Sequence, residues 1–289
     1  MSFSKDVKDE LIEIIPKSRH CMIAELSGIF TAVAKSSQDD ISLIFSQIKS
    51  DANINRKVFT LLKKTLNIKT DVMSLCEDDF FETKKMLKIT DRVSPADSLL
   101  IQQPCCKRAF IRGAFLVCGS ISDPNKGYHF EIVCNRPDVA AQVRDCINFF
   151  DIESKIIERS GKQVVYIKEG AQIVEALRVM DASHSVMDLE NIRVVKEVRG
   201  TINRKVNCET ANISKTVNAA VRQLEDIRLI EECMGLDNLP QPLQDIAQVR
   251  IDYPDTALGD LGQYLDPPIG KSGVNHRFKK LAAIADSLR

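Results

Sequence analysis

Cysteines, histidines and one acidic cluster are the side chains of this chain that could hold a metal ion. The sequence contains nine cysteines and four histidines, and none of its cysteine pairs has the Cys-x-x-Cys spacing of zinc and redox sites. Cys105 and Cys106 are adjacent, and the run Glu77-Asp78-Asp79 is typical of a solvated hairpin tip. We therefore predict reduced thiols, no metal site and no cofactor.

Side chains that could contact bases and phosphates are concentrated in the last 20 residues of the chain. Residues 240–269 contain one Arg and five Asp, a net charge of −4, whereas residues 270–289 contain five Lys or Arg and one Asp, a net charge of +4. Asparagine can form two hydrogen bonds with adenine, and lysine binds phosphate. We predict an interface for double-stranded DNA made of Lys271, Ser272, Asn275, His276, Arg277, Lys279 and Lys280.

Three helices are expected to position these side chains. Apolar periodicity predicts a helix from Pro240 to Ile251, a short helix through Leu258, and a last helix from Lys271 to Leu288. Val274 and Phe278 lie on the inner side of the last helix, which leaves its polar residues outward, with Arg277 nearer the edge of the core. This pattern is typical of a helix-turn-helix. A helix that docks on a protein partner is the alternative.

A basic connector precedes this domain. Between Asn191 and Arg222 there are seven Lys or Arg and two Glu. The mixture of cations and amides suits either a nucleic-acid face or a polar joint between domains, and both interpretations stay open. The residues concerned are Arg199, Asn203, Arg204, Asn207 and Lys215.

A repeat organises the first part of the chain. The run RAFIRGAFLVCGS from Arg108 has a weaker copy, AELSGIFTAVA from Ala24, with an offset of 85 residues. A glycine inside an apolar helix costs about 1 kcal/mol against alanine, so its recurrence needs a packing reason. We predict two helices that cross closely at Gly28 and Gly113. The residues matched at this offset are Gly28 and Gly113, Phe30 and Phe115, Phe45 and Phe130, and Val58 and Val143.

Each half of the repeat is expected to combine helices with antiparallel strands, which gives an α+β fold class. In the first half, Ser4 caps the first helix, further helices span about 19–33 and 54–66, and strands span 41–48, 69–76 and 80–89. In the second half, a helix ends near 119, a strand spans 128–135 and a helix spans 138–150. Strands 154–159 and 163–168 then form a hairpin at Ser160-Gly161-Lys162.

The two copies, LSGIFTAVA from Leu26 and IRGAFLVCG from Ile111, resemble the LAGLIDADG helices of homing endonucleases. The whole chain is similar to the WhiA family of bacterial regulators, through IRGAF at Ile111, VNCETANISKTVNAAVRQLEDI from Val206 and KSGVNHR from Lys271. The resemblance implies a pseudo-two-fold LAGLIDADG-like domain followed by an all-α helix-turn-helix domain. In the nuclease family the eighth motif position carries the metal-binding acid. Here Val33 and Cys118 occupy it, and Thr31 and Leu116 occupy the sixth position, so we predict no catalytic residues.

We accordingly expect a LAGLIDADG-like domain at 1–183, with halves of about 1–100 and 101–183, a helical connector at 184–238 and a helix-turn-helix domain at 239–289. The resemblance implies a sequence-specific regulator of transcription linked to cell division or sporulation, with DNA and other transcription or cell-division proteins as partners. An endonuclease with relocated acids and a protein-interaction scaffold are the alternatives.

Bulk composition places few limits on these functions. Forty basic and forty acidic residues cancel, so a nucleic-acid interface must concentrate its positive charge locally. With 44% apolar residues among 289, the chain can bury one large or two ordinary cores. It has no apolar run of signal or membrane-spanning length, which predicts a soluble protein of the cytoplasm, associated with the nucleoid and not with a membrane.

Overall fold

The chain folds into two compact units, Met1–Lys196 and Glu197–Arg289. The structure, a computed structural model, describes residues 2–36, 41–66, 77–89 and 95–289. Within those ranges, no helix combines the length and the apolar character needed to cross a membrane.

Unit 1 combines helices with one antiparallel sheet, as the α+β prediction required. Its elements in chain order are α1 (Phe3–Glu13), α2 (Arg19–Val33), α3 (Ile41–Ile48), α4 (Ala52–Leu66), α5 (Glu77–Met86), α6 (Pro104–Cys118), β1 (Gly119–Ile121), β2 (Phe130–Cys134), α7 (Pro137–Asn148), β3 (Lys155–Arg159), β4 (Lys162–Ile167) and α8 (Gly170–Val179). Helix α9 (Ser183–Met234) begins in unit 1, and its residues from Glu197 belong to unit 2. Unit 2 adds α10 (Gln241–Asp252), α11 (Leu258–Leu261) and α12 (Lys271–Leu288).

Helices α2 and α6 make a backbone-to-backbone contact at Gly28 and Gly113. A Cβ atom added to Gly28 would lie 2.3 Å from the carbonyl oxygen of Phe110, and one added to Gly113 would lie 2.2 Å from the carbonyl oxygen of Glu25. Real Cβ atoms do not approach other atoms so closely, so both positions require glycine. The structure therefore places the two repeated glycines where the helices cross.

A network of ion pairs is buried beside this contact. The fully buried Glu25 carboxylate lies 2.7 Å from Lys57 Nζ and 3.0 Å from Arg112 Nη2. Arg112 also donates to Asp181 at 2.7 Å, and Lys57 donates to the carbonyl of Leu11 at 2.5 Å. Burial lowers the pKa of Lys57, and the Glu25 carboxylate opposes this shift. Because a lost partner would leave a buried charge unpaired, the network fixes α1, α2, α4 and α6 against one another.

Aromatic packing preserves the repeat in both halves of unit 1. Phe30 of α2 meets Phe45 of α3 edge to face, with ring centroids 5.0 Å apart. Phe115 of α6 stacks on Phe130 of β2, with centroids 5.1 Å apart. The two pairs are related by the same 85-residue offset as the glycines. The predicted repeat therefore holds for side-chain packing, although Phe45 lies on a helix and Phe130 lies on a strand.

The second half of unit 1 carries the sheet, with strand order β1-β2-β4-β3 and antiparallel pairs throughout. Phe130 pairs with Ile167 and Ile132 with Val165, and all four side chains are buried in the core. The predicted hairpin between β3 and β4 is confirmed, and its turn uses positive φ values at Ser160 (53°) and Gly161 (73°).

The strand predicted at 41–48 is wrong, because these residues form helix α3. Ile41, Ile44, Phe45 and Ile48 are buried at helical spacing, whereas Leu43, which the alternating pattern placed inward, is 47% exposed. A short apolar run is compatible with both the two-residue period of a strand and the 3.6-residue period of a helix. Packing against α2 stabilises the helix.

The strand predicted at 80–89 and the hairpin tip at 77–79 are also wrong, since Glu77–Met86 is helix α5. Acidic Asp78 and Asp79 near its N-terminus, with basic Lys84 and Lys85 in its last turn, complement the helix dipole. Helix α1 is capped by Ser2 instead of Ser4. The strand predicted at 69–76 lies outside the described residues.

We expect the Gly113→Leu substitution to lower the free energy of unfolding by about 1–3 kcal/mol or more, because the new side chain must push α2 away. Gly127→Leu is the matched control, since a Cβ at Gly127 meets no atom within 4 Å. Its effect should stay within about 0.5 kcal/mol. Urea unfolding of both variants measures the difference. Equal midpoints and slopes for the two proteins would show that α2 and α6 tolerate separation.

Candidate nucleic-acid interface

Helices α10, α11 and α12 form a helix-turn-helix around a common apolar core in unit 2. Its buried side chains come from all three helices and from α9: Ile227, Ile230, Leu243, Ile246, Leu261, Val274, Phe278 and Leu281. The predicted order of helix, tight turn and outward polar helix is present. Core packing therefore fixes which face of α12 is exposed.

The outward face of α12 carries six of the seven predicted contact residues. Val274, Phe278, Leu281 and Ala285 are buried, at helical spacing. The exposed side chains are Lys271, Ser272, Asn275, His276, Lys279 and Lys280. Cations and base-capable groups therefore share one solvent-facing surface, which we call the α12 outer face.

Arg277 is placed differently from the other six. It is partly buried, and its Nη1 donates to the carbonyl of Pro242 at 3.2 Å. This hydrogen bond ties α12 to the first turn of α10. In this structure Arg277 supports the geometry of the helix-turn-helix.

The turn before α12 is held by a close backbone approach at Gly262. A Cβ atom there would lie 1.9 Å from the carbonyl oxygen of Ile269, and the Ile269 amide donates to the Gly262 carbonyl at 3.0 Å. Only glycine admits this approach. Tyr253 and Tyr264 stack beside the turn, with centroids 4.2 Å apart.

Arg250 is a positioning residue whose role the sequence did not reveal. It is 1% exposed, and burial lowers its pKa. Its Nη1 donates to the carbonyls of Thr256 at 2.8 Å and Pro254 at 3.1 Å, and its Nε donates to Gln223 at 3.0 Å. The guanidinium also lies 5.5 Å over the ring of Phe278 on α12. The signal available in the sequence was a single arginine among the five aspartates of residues 240–269.

A groove within unit 2 brings part of the connector to the α12 outer face. Lys215, Arg222 and Gln223 of α9 line it on one side, and Asn275 and Lys279 line it on the other. The remaining connector residues predicted for contact are exposed on α9 outside this lining: Arg199, Asn203, Arg204 and Asn207. Of the five connector residues, Lys215 therefore lines the groove beside the α12 outer face, and the other four do not.

A cleft within unit 1, at the C-terminal ends of α2 and α6, tests the nuclease alternative. Val33 and Cys118 line a cleft there. Burial raises the pKa of Cys118 to about 11, with Lys8 opposing the shift, and its Sγ donates to the carbonyl of Ala32 at 3.3 Å. An aliphatic side chain and a protonated thiol are unsuitable ligands for Mg²⁺.

Asp51 is the single carboxylate among the described residues that line this cleft. Its Oδ1 accepts hydrogen bonds from the amides of Asn53 at 3.0 Å and Ile54 at 3.2 Å. Asp51 therefore serves as the cap of α4. In the described residues, no second acid has moved into the cleft to restore a metal site.

Comparison with known proteins places these features in a family. A family model described as the WhiA C-terminal HTH domain matches residues 202–285, and one described as the WhiA LAGLIDADG-like domain matches residues 107–199. A protein of Lachnoclostridium phytofermentans named "Probable cell division protein WhiA" is 46% identical, with all of both chains covered. A protein of the same name from Clostridium acetobutylicum is 41% identical over 100% of this chain and 99% of its own. The crystal structure of full-length DUF199/WhiA from Thermatoga maritima matches with a TM-score of 0.56, at 26% identity over 99% of each chain.

We expect Arg250→Met to destabilise unit 2, because the substitution leaves the carbonyls of Pro254 and Thr256 without their donor. A hydrogen bond from a charged donor contributes about 1.5–3 kcal/mol to stability. The exposed Arg228 of α9 supplies the control, and Arg228→Met should change the free energy of unfolding by less than about 0.5 kcal/mol. Urea unfolding followed by near-UV circular dichroism of the tyrosines measures both. Similar losses in the two variants would contradict the positioning role of Arg250.

Proposed function

The chain belongs to the WhiA family, and from that premise we propose that it is a sequence-specific DNA-binding regulator of transcription in bacterial cell division. The observation that carries the proposal is the α12 outer face, where cations and base-capable side chains are exposed together on the third helix of a helix-turn-helix. The shared name of the full-length relatives supports the link to cell division. A role in sporulation rests on the family resemblance.

In this proposal α12 enters the major groove. Asn275 reads a base edge, since an asparagine amide can donate to and accept from adenine. Lys279 lies one turn further along the same face, and Lys215 faces it across the groove, so both are placed to neutralise phosphates. The acidic segment 240–269 repels phosphate, which favours the approach of the DNA to α12 alone.

The LAGLIDADG-like domain acts in this proposal as a catalytically inactive scaffold. The neutral thiol of Cys118, the aliphatic Val33 and the capping role of Asp51 support this assignment. Two-metal cleavage of phosphodiesters requires oxygen ligands for both ions. The proposal divides the chain into domains at residues 1–183, 184–238 and 239–289. It places the protein on the nucleoid, with other transcription or cell-division proteins as further partners.

We expect Asn275→Ala to weaken binding to the specific site about 5-fold to 150-fold, which corresponds to about 1–3 kcal/mol, and to leave binding to random DNA nearly unchanged. The specific site is first located by protection mapping of genomic DNA with the purified full-length protein. Lys279→Ala should weaken both kinds of binding and reduce the slope of log K against log salt by about one unit.

Lys63→Ala on α4 is the matched control, because Lys63 is exposed in unit 1 and should affect neither measurement. A melting curve of Asn275→Ala distinguishes base reading from a role in helix packing. If Asn275→Ala keeps full sequence preference at several salt concentrations, α12 is not the reading helix, and the basic residues of α9 become the better candidates. Binding that ignores salt and needs a protein partner would favour the scaffold alternative.

We also expect no metal-dependent cleavage. Plasmid DNA incubated with excess protein and Mg²⁺ or Mn²⁺ should stay supercoiled, because the cleft at Val33 and Cys118 offers no pair of carboxylates among its described residues. Asp51→Asn is the control for any trace of nicking. Nicking that survives repurification and disappears in Asp51→Asn would contradict the proposed inactivity.

A further inference from the structure

The N-terminal ends of α2 and α6 bring together four side chains that the sequence left apart. His20 and Cys21 lie in the first turn of α2, and Cys105 and Cys106 lie in the first turn of α6. One ligand atom from each side chain lies within 4.8 Å of the other three. His20 Nδ1 is 3.2 Å from Cys106 Sγ and 3.4 Å from Cys21 Sγ. Among the described residues, no other group of three or more potential metal ligands meets this criterion.

These distances are close to those in the ligand shell of a tetrahedral ion. With Zn–S bonds of about 2.3 Å and Zn–N bonds of about 2.0 Å, the ligand atoms of a tetrahedral site are about 3.5–3.8 Å apart. Three thiolates and one imidazole form a soft donor set, which selects Zn²⁺ over Mg²⁺ or Ca²⁺. We propose that His20, Cys21, Cys105 and Cys106 bind one zinc ion that clamps α2 to α6.

The site is built into the repeat of unit 1. His20 and Cys105 are related by the 85-residue offset, and so are Cys21 and Cys106. Each half therefore contributes one pair of adjacent ligands from the same place on its motif helix. Because the glycine crossing fixes the approach of the two helices, the four ligands converge without any loop having to rearrange.

The surroundings suit a structural zinc site that an ion can reach from solvent. Cys106 is buried in a small cluster with Ala24 and Ala109, and Cys21 packs against it. His20 and Cys105 are exposed, which gives an ion a path from solvent. With four protein ligands no position is left for water or substrate, so the zinc ion would be structural.

The helix ends at the site favour the ligand form of the cysteines. Both ligand pairs lie at helix N-termini, where the partial positive charge of the helix dipole favours thiolate over thiol. Because zinc is bound by the thiolate, the ion displaces the thiol protons on binding.

The Cys-x-x-Cys criterion did not predict this site, for a physical reason. That spacing identifies ligands that one loop brings together. These ligands come in adjacent pairs from two helices that meet only in the fold. The prediction of reduced thiols with no metal site is the one that this inference replaces.

The test compares zinc content in matched cysteine variants of the full-length protein. Wild type, Cys21→Ala/Cys105→Ala and the control Cys208→Ala/Cys233→Ala are stripped with chelator under a phosphine reductant. Each is then loaded with ZnCl₂, separated from free ion by gel filtration and measured by mass spectrometry of zinc. Cys208 and Cys233 are exposed cysteines of α9, distant in sequence from the cluster. Wild type and control should retain about one zinc per chain, and the cluster variant should retain almost none.

Loading with CoCl₂ identifies the ligands independently. Wild type and control should show the visible bands of tetrahedral cobalt and a thiolate charge-transfer band, and the cluster variant should show neither. Far-UV circular dichroism checks that the cluster variant is folded, and His20→Ala, at an exposed position, provides a second folded variant with weakened cobalt bands. A wild type without retained zinc, equal zinc in the cluster and control variants, or a disulfide within the cluster of the reduced wild type would overturn the proposal.

Discussion

The contact between α2 and α6 at Gly28 and Gly113 is the constraint on which unit 1 depends. With no side chain between the helices, the carbonyl oxygens of Phe110 and Glu25 would lie within 2.3 Å of any added Cβ atom. This proximity brings the Glu25 carboxylate within reach of Arg112 on the other helix. A longer separation would leave that carboxylate with less compensation for its burial, at a cost of several kcal/mol. Backbone packing and the buried ion network therefore require each other.

The same crossing gives the two ends of the helix pair different chemistry. At the C-terminal ends, Val33 and the protonated Cys118 present no oxygen ligand, so the cleft cannot hold a hard cation through them. At the N-terminal ends, three thiols and an imidazole converge. Helix dipoles reinforce this polarity, because the positive ends favour thiolates. One rigid helix crossing thus carries different side-chain chemistry at its two ends.

How much the sequence could predict depends on whether a feature is local. The hairpin at Gly161 and the glycine pair were predictable, because each leaves a mark in the residues that form it. Phe45 shows the limit, since its match to Phe130 was correct for packing and wrong for secondary structure. In an apolar run of eight residues, periodicity alone cannot distinguish a strand from two turns of helix. Cys21 and Cys105 mark the other limit, because only the fold makes them neighbours.

In unit 2 the geometry of the α12 outer face depends on polar interactions that hydrophobic periodicity does not predict. Val274 and Phe278 orient α12, but the segment between α10 and α11 is held by Arg250, whose guanidinium donates to two carbonyls and lies over Phe278. The first turn of α12 has Gly270 as its cap and no side-chain hydrogen bond there. The amides of Lys271 and Ser272, at the positive end of the helix dipole, could therefore donate to a phosphate in the proposed complex with DNA. A serine cap would stabilise the helix by a few tenths of a kcal/mol but would occupy one of these donors.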